Sequence, residues 1–311
     1  MPADLSRQGA RFIAAQRRLP QELLAAIGSG AELLVDTICY SALDARTLLP
    51  LAGLAGSTVM ISSKAVYVDG SGNHSNSTTP PKFQGAIGEG HSTVPPGGGD
   101  WNSPEGYGRN KVAAEMVLLE SGLPVTIIRP SKIHGRGASR PREWVFVRRV
   151  LDKRKAVFLC ARGAAVDHTT AAVNLAELVA LVAAKPGPRV LNSADPDAPS
   201  ALLIARTIAD QMGHHWEEIL LEETADPALG RHPWARLHPI LLDTTAATTL
   251  GYRPVGDYAT TVADEIAWLV DLCRQAGGAS RDIGLDSDYF QQFFDYSAED
   301  AFLAERAAAH D

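Results

Sequence analysis

Tyr107 and Lys111 stand four residues apart at the start of a segment with strong helical character. At this spacing two side chains lie on one face of a helix. An ammonium group beside a phenol favours the phenolate, so we expect Lys111 to lower the pKa of Tyr107 toward neutrality. A phenol tuned in this way acts as a general acid or base near pH 7. The pair alone favours a simpler interpretation, a half-buried tyrosine beside a solvated lysine.

Two serines strengthen the catalytic interpretation. Ser62 and Ser63 end the predicted strand 58–63 (TVMISS), and Val66-Tyr67 follows. Catalytic groups of open α/β sheets gather at the carboxyl ends of strands. A hydroxyl there can hydrogen-bond a substrate oxygen while a tyrosine transfers its proton. The pattern Ile-Arg-Pro-x-x-Ile-x-Gly closes the next strand, so three chemical motifs occur in order along alternating elements.

Strands and helices alternate in the first half of the chain. The apolar runs predict strands at 10–15, 33–39, 58–63 and 125–128, and the intervening patterns predict helices at 20–27, 44–54 and 106–121. Pro50 is expected to shorten or kink the second helix. Buried strands separated by helices indicate an α/β fold, a parallel sheet covered on both faces.

The second half is less regular. It predicts helices at 141–153, 173–184, 200–212 and 261–275, and strands at 156–160 and 189–192. Trp144, Phe146 and Val150 are expected in the core. The tail from Gly278 is expected to be peripheral. We place the domains at 1–135 and 136–311, with a loop insertion at 69–105 that serves either as an active-site lid or as an irregular excursion.

Several segments together resemble a known family, the extended short-chain dehydrogenases/reductases of the NAD-dependent epimerase/dehydratase group. They are ISSKAVYVD, EGYGRNKVAAE, VTIIRPSKIHGRG, VDHTTAAVNLAELVALV and LGYRP, at 61–69, 105–115, 125–137, 166–182 and 250–254. The resemblance implies a doubly wound, Rossmann-like parallel sheet with a smaller substrate-binding subdomain from the C-terminal half. It also implies NAD or NADP as cofactor, and a small-molecule substrate such as a sugar or nucleotide sugar.

The resemblance assigns roles to individual residues. Ser63 matches the catalytic serine, Tyr107 the proton-transferring tyrosine, and Lys111 the lysine that also holds the nicotinamide ribose. The cofactor is expected to touch Cys39 and Tyr40 at the ribose, Pro130 and Ile133 at the carboxamide, and Gln16 and Arg17 near adenine, where the family commonly has an Asp-hydrophobe pair. The residues expected to face the substrate are Ser62, Lys64, Lys132, Arg136 and Arg149. Lys132 replaces an asparagine of many sugar-nucleotide members, which weakens that substrate assignment.

The N-terminal glycine-rich strand–turn–helix of this family has no match in the sequence. Arg11–Ala15 already matches the third strand of the family. In the strand order 3-2-1-4-5-6 the unmatched first strand is central. Three explanations are open: a longer natural protein with a misassigned start, a strand supplied from elsewhere, or a degenerate member that is a non-catalytic regulatory or partner-binding scaffold.

Composition limits the remaining function classes. The chain has 311 residues, 45% of them hydrophobic, and a net charge of −7. This acidity argues against nucleic-acid binding, and the sequence has neither a membrane-length apolar run nor a secretory signal. Three scattered cysteines and the histidines at 214, 215, 232 and 238 predict no metal site. We expect a cytoplasmic protein, and the resemblance implies a homodimer through the Tyr–Lys helix.

Overall fold

The chain divides into two compact units in the computed structural model, which describes residues 7–222, 228–274 and 284–309. Unit 1 comprises 1–66, 93–129 and 179–191, and unit 2 comprises 67–92, 130–178 and 192–311. The two units alternate along the sequence, whereas the predicted domains were the continuous ranges 1–135 and 136–311. Part of the expected loop insertion belongs to unit 2 because Ile87 forms a β-bridge with Leu242.

A four-stranded sheet forms the centre of unit 1. Its order is β1-β2-β3-β7, with bounds Ala31–Asp36, Ala55–Ile61, Val125–Pro130 and Arg189–Ser193. β2 pairs in parallel with both β1 and β3, and Met60 lies opposite Ile127. β3 is buried along its whole length, as expected for a parallel strand covered on both faces. The predicted α/β class with a parallel sheet is confirmed.

Three helices lie wholly within the described part of unit 1, and two of them begin at a capping serine. They are α1 (Pro20–Ile27), α2 (Ala42–Ala52) and α3 (Pro104–Leu119). The Ser41 hydroxyl accepts the Asp44 N–H while the Asp44 carboxylate accepts the Ser41 N–H, a capping box that starts α2 two residues before the predicted position. Pro50 lies inside α2, which nevertheless continues to Ala52. Pro104 follows the capping Ser103 at the first position of α3.

The predicted strand at 10–15 is wrong. These residues form no strand, and Phe12 and Ile13 are 73% and 44% exposed. Among the described strands, β1 pairs only with β2. A strand needs a neighbour to satisfy its backbone groups. In the order 3-2-1-4-5-6 the third strand lies beside the second, and no described segment takes that place.

Unit 2 contains two small parallel sheets and most of the helices. β4 (Lys132–His134) pairs with β6 (Thr169–Ala171), and β5 (Ala156–Leu159) pairs with β8 (Glu217–Leu220). The helices are α4 (Trp144–Leu151), α5 (Ala172–Ala184, which ends in unit 1), α6 (Ala201–Gln211), α7 (Thr245–Thr249), α8 (Tyr258–Thr261), α9 (Ala263–Arg274), α10 (Asp288–Gln291) and α11 (Ser297–Ala308).

The core of unit 2 includes the C-terminal segment. Trp144, Phe146 and Val150 of α4 are buried, as predicted. Leu285 and Phe290 are buried in the same cluster, so the expectation of a peripheral tail is wrong. Burial of large apolar side chains contributes about 1.5–3 kcal/mol each, which explains why this acidic tail packs against the helices. No helix among the described residues is long and apolar enough to cross a membrane.

Candidate active site

The structure brings Ser63 and Tyr107 together in unit 1. Ser63 follows the last residue of β2, and Tyr107 lies in the first turn of α3. The Ser63 side chain interacts with the Tyr107 phenol and favours its ionised form. The Ser63 hydroxyl oxygen also accepts the Ala65 N–H at 3.1 Å. Because that oxygen already accepts a bond, its own proton is available to the phenol oxygen of Tyr107.

Two glycines beside Tyr107 allow this approach. A Cβ on Gly108 would lie 2.9 Å from the Ala65 carbonyl oxygen, and a Cβ on Gly106 would lie 2.1 Å from the Asp100 carbonyl oxygen. Both distances are shorter than real side chains tolerate. Gly108 therefore lets α3 pack directly on the backbone that follows β2, and Gly106 lets the first turn of α3 pack on the turn that precedes the helix. Sequence analysis missed this role, although a glycine on each side of a candidate catalytic residue was a visible signal.

Lys111 joins the ends of two strands. Its buried ammonium donates to the Cys39 carbonyl oxygen at 2.9 Å and to the Ile61 carbonyl oxygen at 3.0 Å. An ammonium has three donors, so one remains beyond these two bonds. Burial lowers the pKa of Lys111 to about 8, although nearby acidic groups oppose the shift.

The pKa of Tyr107 shifts in the direction opposite to the prediction. Burial raises it, and the hydrogen bond from Ser63 opposes the rise without overcoming it. The expectation that Lys111 lowers this pKa is wrong, because the lysine ammonium is directed at two backbone carbonyls. Tyr107 is therefore a neutral phenol at pH 7, a proton donor with a serine beside its oxygen.

Aromatic rings lie next to this group. The Tyr40 ring stacks on Trp101 at 4.4 Å between centroids and lies 6.4 Å from the Tyr107 ring. The Lys111 ammonium is 4.4 Å from the Tyr40 centroid, a cation–π contact. Cys39 is fully buried, and burial raises the pKa of its thiol to about 12. Cys39 thus contributes its carbonyl group, not a reactive thiolate.

Ser62 has a structural partner. It is buried and donates to the Glu115 carboxylate, which also pairs with Arg129 at 2.5 Å. These three buried groups connect β2, α3 and β3 inside unit 1. The expected substrate contact of Ser62 is therefore wrong. Sequence analysis did not identify Glu115 or Arg129, because their partners lie too far away in sequence to form a local pattern.

Arg17 is engaged within unit 1. Its guanidinium lies 2.6 Å from the Asp36 carboxylate and 3.5 Å from that of Asp44. It lines a cleft of about 280 Å³ together with apolar residues of β1 and α2. The backbone N–H of Gln16 donates to the Glu22 carboxylate at 2.7 Å. Both residues thus have a structural contact of their own, which the resemblance did not indicate.

The expected substrate residues belong to both units, Lys64 to unit 1 and Lys132, Arg136 and Arg149 to unit 2. Lys64 is buried in the short 3₁₀ turn that follows Ser63. In unit 2, Lys132 donates to the Pro233 carbonyl oxygen at 2.9 Å and lies 3.3 Å from the Asp167 carboxylate. Arg136 is exposed.

Arg149 is not available to a substrate. It is buried and pairs with Glu299, with Nη1–Oε2 and Nη2–Oε1 distances of 2.8 and 2.9 Å. The expected substrate role is wrong for this residue. Of the residues expected at the carboxamide, Pro130 is buried at the end of β3, and Ile133 is partly exposed on β4.

The described residues fit one end of a nicotinamide dinucleotide. Tyr107, Ser63 and the remaining donor of Lys111 suit a ribose hydroxyl and a reacting oxygen. No glycine-rich turn between a strand and a helix precedes β1 within the described part of unit 1. Gly28 and Gly30 lie between α1 and β1, the reverse order. The described residues therefore provide no pyrophosphate cradle of the usual kind.

Comparisons with known proteins identify the fold. No protein-family model and no curated protein matches the chain. Among solved structures, a dTDP-glucose 4,6-dehydratase from Bacillus anthracis in complex with NAD has a TM-score of 0.60 and 16% identity, covering 85% of this chain and 81% of that chain. A dTDP-glucose 4,6-dehydratase from Streptomyces venezuelae, also with NAD bound, has a TM-score of 0.60 and 21% identity, with coverages of 86% and 83%.

A third solved structure is also similar to this chain in fold. A UDP-glucuronic acid 4-epimerase from Bacillus cereus, in complex with UDP-glucuronic acid and NAD, has a TM-score of 0.53 and 17% identity, covering 74% of this chain and 67% of that chain. The chain therefore shares the fold of these NAD-containing structures, an α/β fold with a parallel sheet, as predicted.

Proposed function

We propose that this chain, which has the fold of the extended short-chain dehydrogenases/reductases, is an NAD- or NADP-dependent oxidoreductase, epimerase or dehydratase acting on a small molecule. The observation that carries the proposal is the pairing of Ser63 with Tyr107, one helical turn from Lys111, whose ammonium donates to the carbonyl groups at the ends of two strands. Several solved structures of this fold hold NAD, and one holds UDP-glucuronic acid. These support a nicotinamide cofactor and a nucleotide-sugar substrate here.

The proposed roles follow from the protonation states. Tyr107, neutral at pH 7, gives its proton to a substrate carbonyl oxygen or recovers it from the hydroxyl in the reverse direction. When substrate is bound, the single Ser63 proton is donated to the reacting oxygen instead of the phenol oxygen and holds the reacting oxygen near Tyr107. Lys111 fixes the strand ends and directs its third N–H toward a ribose hydroxyl. When bound, the nicotinamide ring donates or accepts the hydride at the substrate carbon.

Turnover of Tyr107→Phe tests these roles. The substrates are dTDP-glucose and UDP-glucuronic acid, each with NAD⁺ or NADP⁺, and products are separated by chromatography. Loss of a general acid should lower kcat by about 10²–10⁴-fold while the far-UV spectrum stays unchanged. Tyr252→Phe is the matched control, because its phenol donates only to the Asn174 carbonyl oxygen of unit 2. Turnover that survives in Tyr107→Phe contradicts the mechanism.

The second candidate is a non-catalytic regulatory or partner-binding scaffold. The observation that favours it is the lack of a glycine-rich phosphate turn among the described residues. Calorimetry with NADH and NADPH separates the two candidates. Saturable binding that Lys111→Met weakens supports the enzyme, whereas no binding of either dinucleotide supports the scaffold.

A further inference from the structure

Three potential metal ligands converge in the interior of unit 2. His134 is the last residue of β4, Glu143 caps the start of α4, and Glu265 lies in α9. One ligand atom from each residue lies within 4.8 Å of the other two, and all three residues are buried. They are separated by up to 130 residues in sequence, so no local motif shows the cluster.

Asp195 sets the tautomer of His134. One Asp195 carboxylate oxygen accepts the Ala171 N–H at 2.6 Å and the Asn174 side-chain N–H at 2.8 Å, and the other lies 2.9 Å from His134 Nε2. The Asn174 amide is oriented by its oxygen, which accepts the Val255 N–H. A carboxylate held by this many donors stays ionised, so Nε2 carries the imidazole proton. In the neutral imidazole, Nδ1 then keeps its lone pair.

That lone pair has no donor. Within the described residues, His134 Nδ1 and Glu265 Oε1 are buried without a hydrogen-bond partner. Nδ1 lies 3.8 Å from Glu265 Oε2, which accepts only the Gly135 N–H. Glu143 receives one long bond, from Tyr258 at 3.5 Å. Buried acceptors that face each other with no donor between them are costly, and a cation placed among them removes that cost.

We propose that His134, Glu143 and Glu265 bind one divalent transition-metal ion of the zinc type. One imidazole nitrogen and two carboxylate oxygens suit zinc, whereas magnesium and calcium prefer oxygen alone. Neighbouring ligands of a tetrahedral zinc lie about 3.4 Å apart. The three ligand atoms lie within 4.8 Å of one another, so the set must contract by up to about 1.4 Å, and by about 0.4 Å between His134 Nδ1 and Glu265 Oε2.

The surrounding contacts support a bound ion, and three protein ligands leave the fourth position of a tetrahedral zinc for a water molecule. Asp195 accepts the distal imidazole N–H, which is the carboxylate–histidine–metal arrangement that orients metal ligands. The ligands come from β4, α4 and α9, so the ion would hold three elements of unit 2 together. Because the ligand atoms are buried, the metal enters as the chain folds. The competing occupant is a single proton shared between Glu143 and Glu265.

The test is the metal content of the full chain. The protein is produced in zinc-supplemented medium, dialysed against metal-free buffer, and analysed for zinc by mass spectrometry. We expect one zinc per chain in the wild type and less than a tenth of that in Glu265→Gln. Because this substitution removes a buried charge without changing size, Glu265→Gln should still fold. His215→Asn is the control, since His215 is exposed and outside the cluster, and it should retain zinc.

Asp195→Asn provides a second measurement. Loss of a partner behind a metal ligand lowers affinity by about 10–100-fold, so refolding titrations with zinc chloride should show a weaker site in this variant. If Glu143 and Glu265 share one proton instead of binding a metal, the wild-type protein contains no zinc, and that result overturns the proposal. Zinc that persists in Glu265→Gln and disappears in His215→Asn overturns it as well, since the ion would then lie on the surface.

Discussion

Alanine at Gly108 tests whether the close packing of α3 positions the candidate active site. The added methyl would lie 2.9 Å from the Ala65 carbonyl oxygen, and ordinary contact begins at 3.4 Å. The helix or the segment carrying Ser63 must therefore move by about 0.5 Å. Overpacking of this kind costs about 1–3 kcal/mol, whereas alanine gains about 0.5–1 kcal/mol in a helix. We expect a net loss of about 1–2 kcal/mol in the free energy of unfolding.

Gly106 and Gly98 complete a ranked series. At Gly106 the methyl would lie 2.1 Å from the Asp100 carbonyl oxygen, which also accepts the Ser103 N–H and hydroxyl. A shift of about 1.3 Å would break this turn, so the cost should be about 3 kcal/mol or more. Gly98 is the matched control, because nothing lies within 4 Å of its added methyl, and its substitution should change stability by less than about 1 kcal/mol.

Urea unfolding, followed by far-UV circular dichroism, measures the series. The expected order of unfolding midpoints is Gly98→Ala highest, then Gly108→Ala, then Gly106→Ala. If Gly108→Ala and Gly98→Ala unfold at the same urea concentration, α3 is not in close contact with the Ala65 carbonyl oxygen at Gly108. The packing argument for the position of Tyr107 would then be refuted.

The buried side chains of Lys111 and Arg149 lead to two further predictions. The pKa of Lys111 is about 8 in the folded chain against 10.5 for the free side chain, so between these values the unfolded chain binds more protons and stability rises with pH. The free energy of unfolding of wild type minus that of Lys111→Met should increase by about 2 kcal/mol from pH 8 to pH 10, and a flat difference would contradict the buried ammonium. Arg149→Met and Glu299→Gln should each lower the free energy of unfolding by about 3–5 kcal/mol, because each leaves a buried charge without its partner. The double variant should lose little more than either single variant, which a double-mutant cycle measures. Unchanged stability with lost turnover would instead restore a substrate role for Arg149.

Short stretches of sequence predicted most of the elements of unit 1. The helix at 20–27 was predicted at its observed bounds, because a proline at its first position and Gly28 after its end are local signals. The strand at 10–15 failed because a strand also needs a partner, which no local pattern supplies. Ser63, Tyr107 and Lys111 could be proposed because Ser63 ends a predicted strand and because the spacing of Tyr107 and Lys111 places them on one face of a helix.

The sequence by itself determined the α/β alternation and the serine, tyrosine and lysine of the candidate site. Only the tertiary structure decided which groups those side chains meet. In the structure the Lys111 ammonium donates hydrogen bonds to two backbone carbonyl oxygens. Ser62 donates to Glu115, 53 residues away in sequence, and Arg149 pairs with Glu299, 150 residues away. The physical reason is the distance along the chain over which each interaction acts. Periodicity and capping act over a few residues, whereas burial and charge pairing depend on which distant segments pack together.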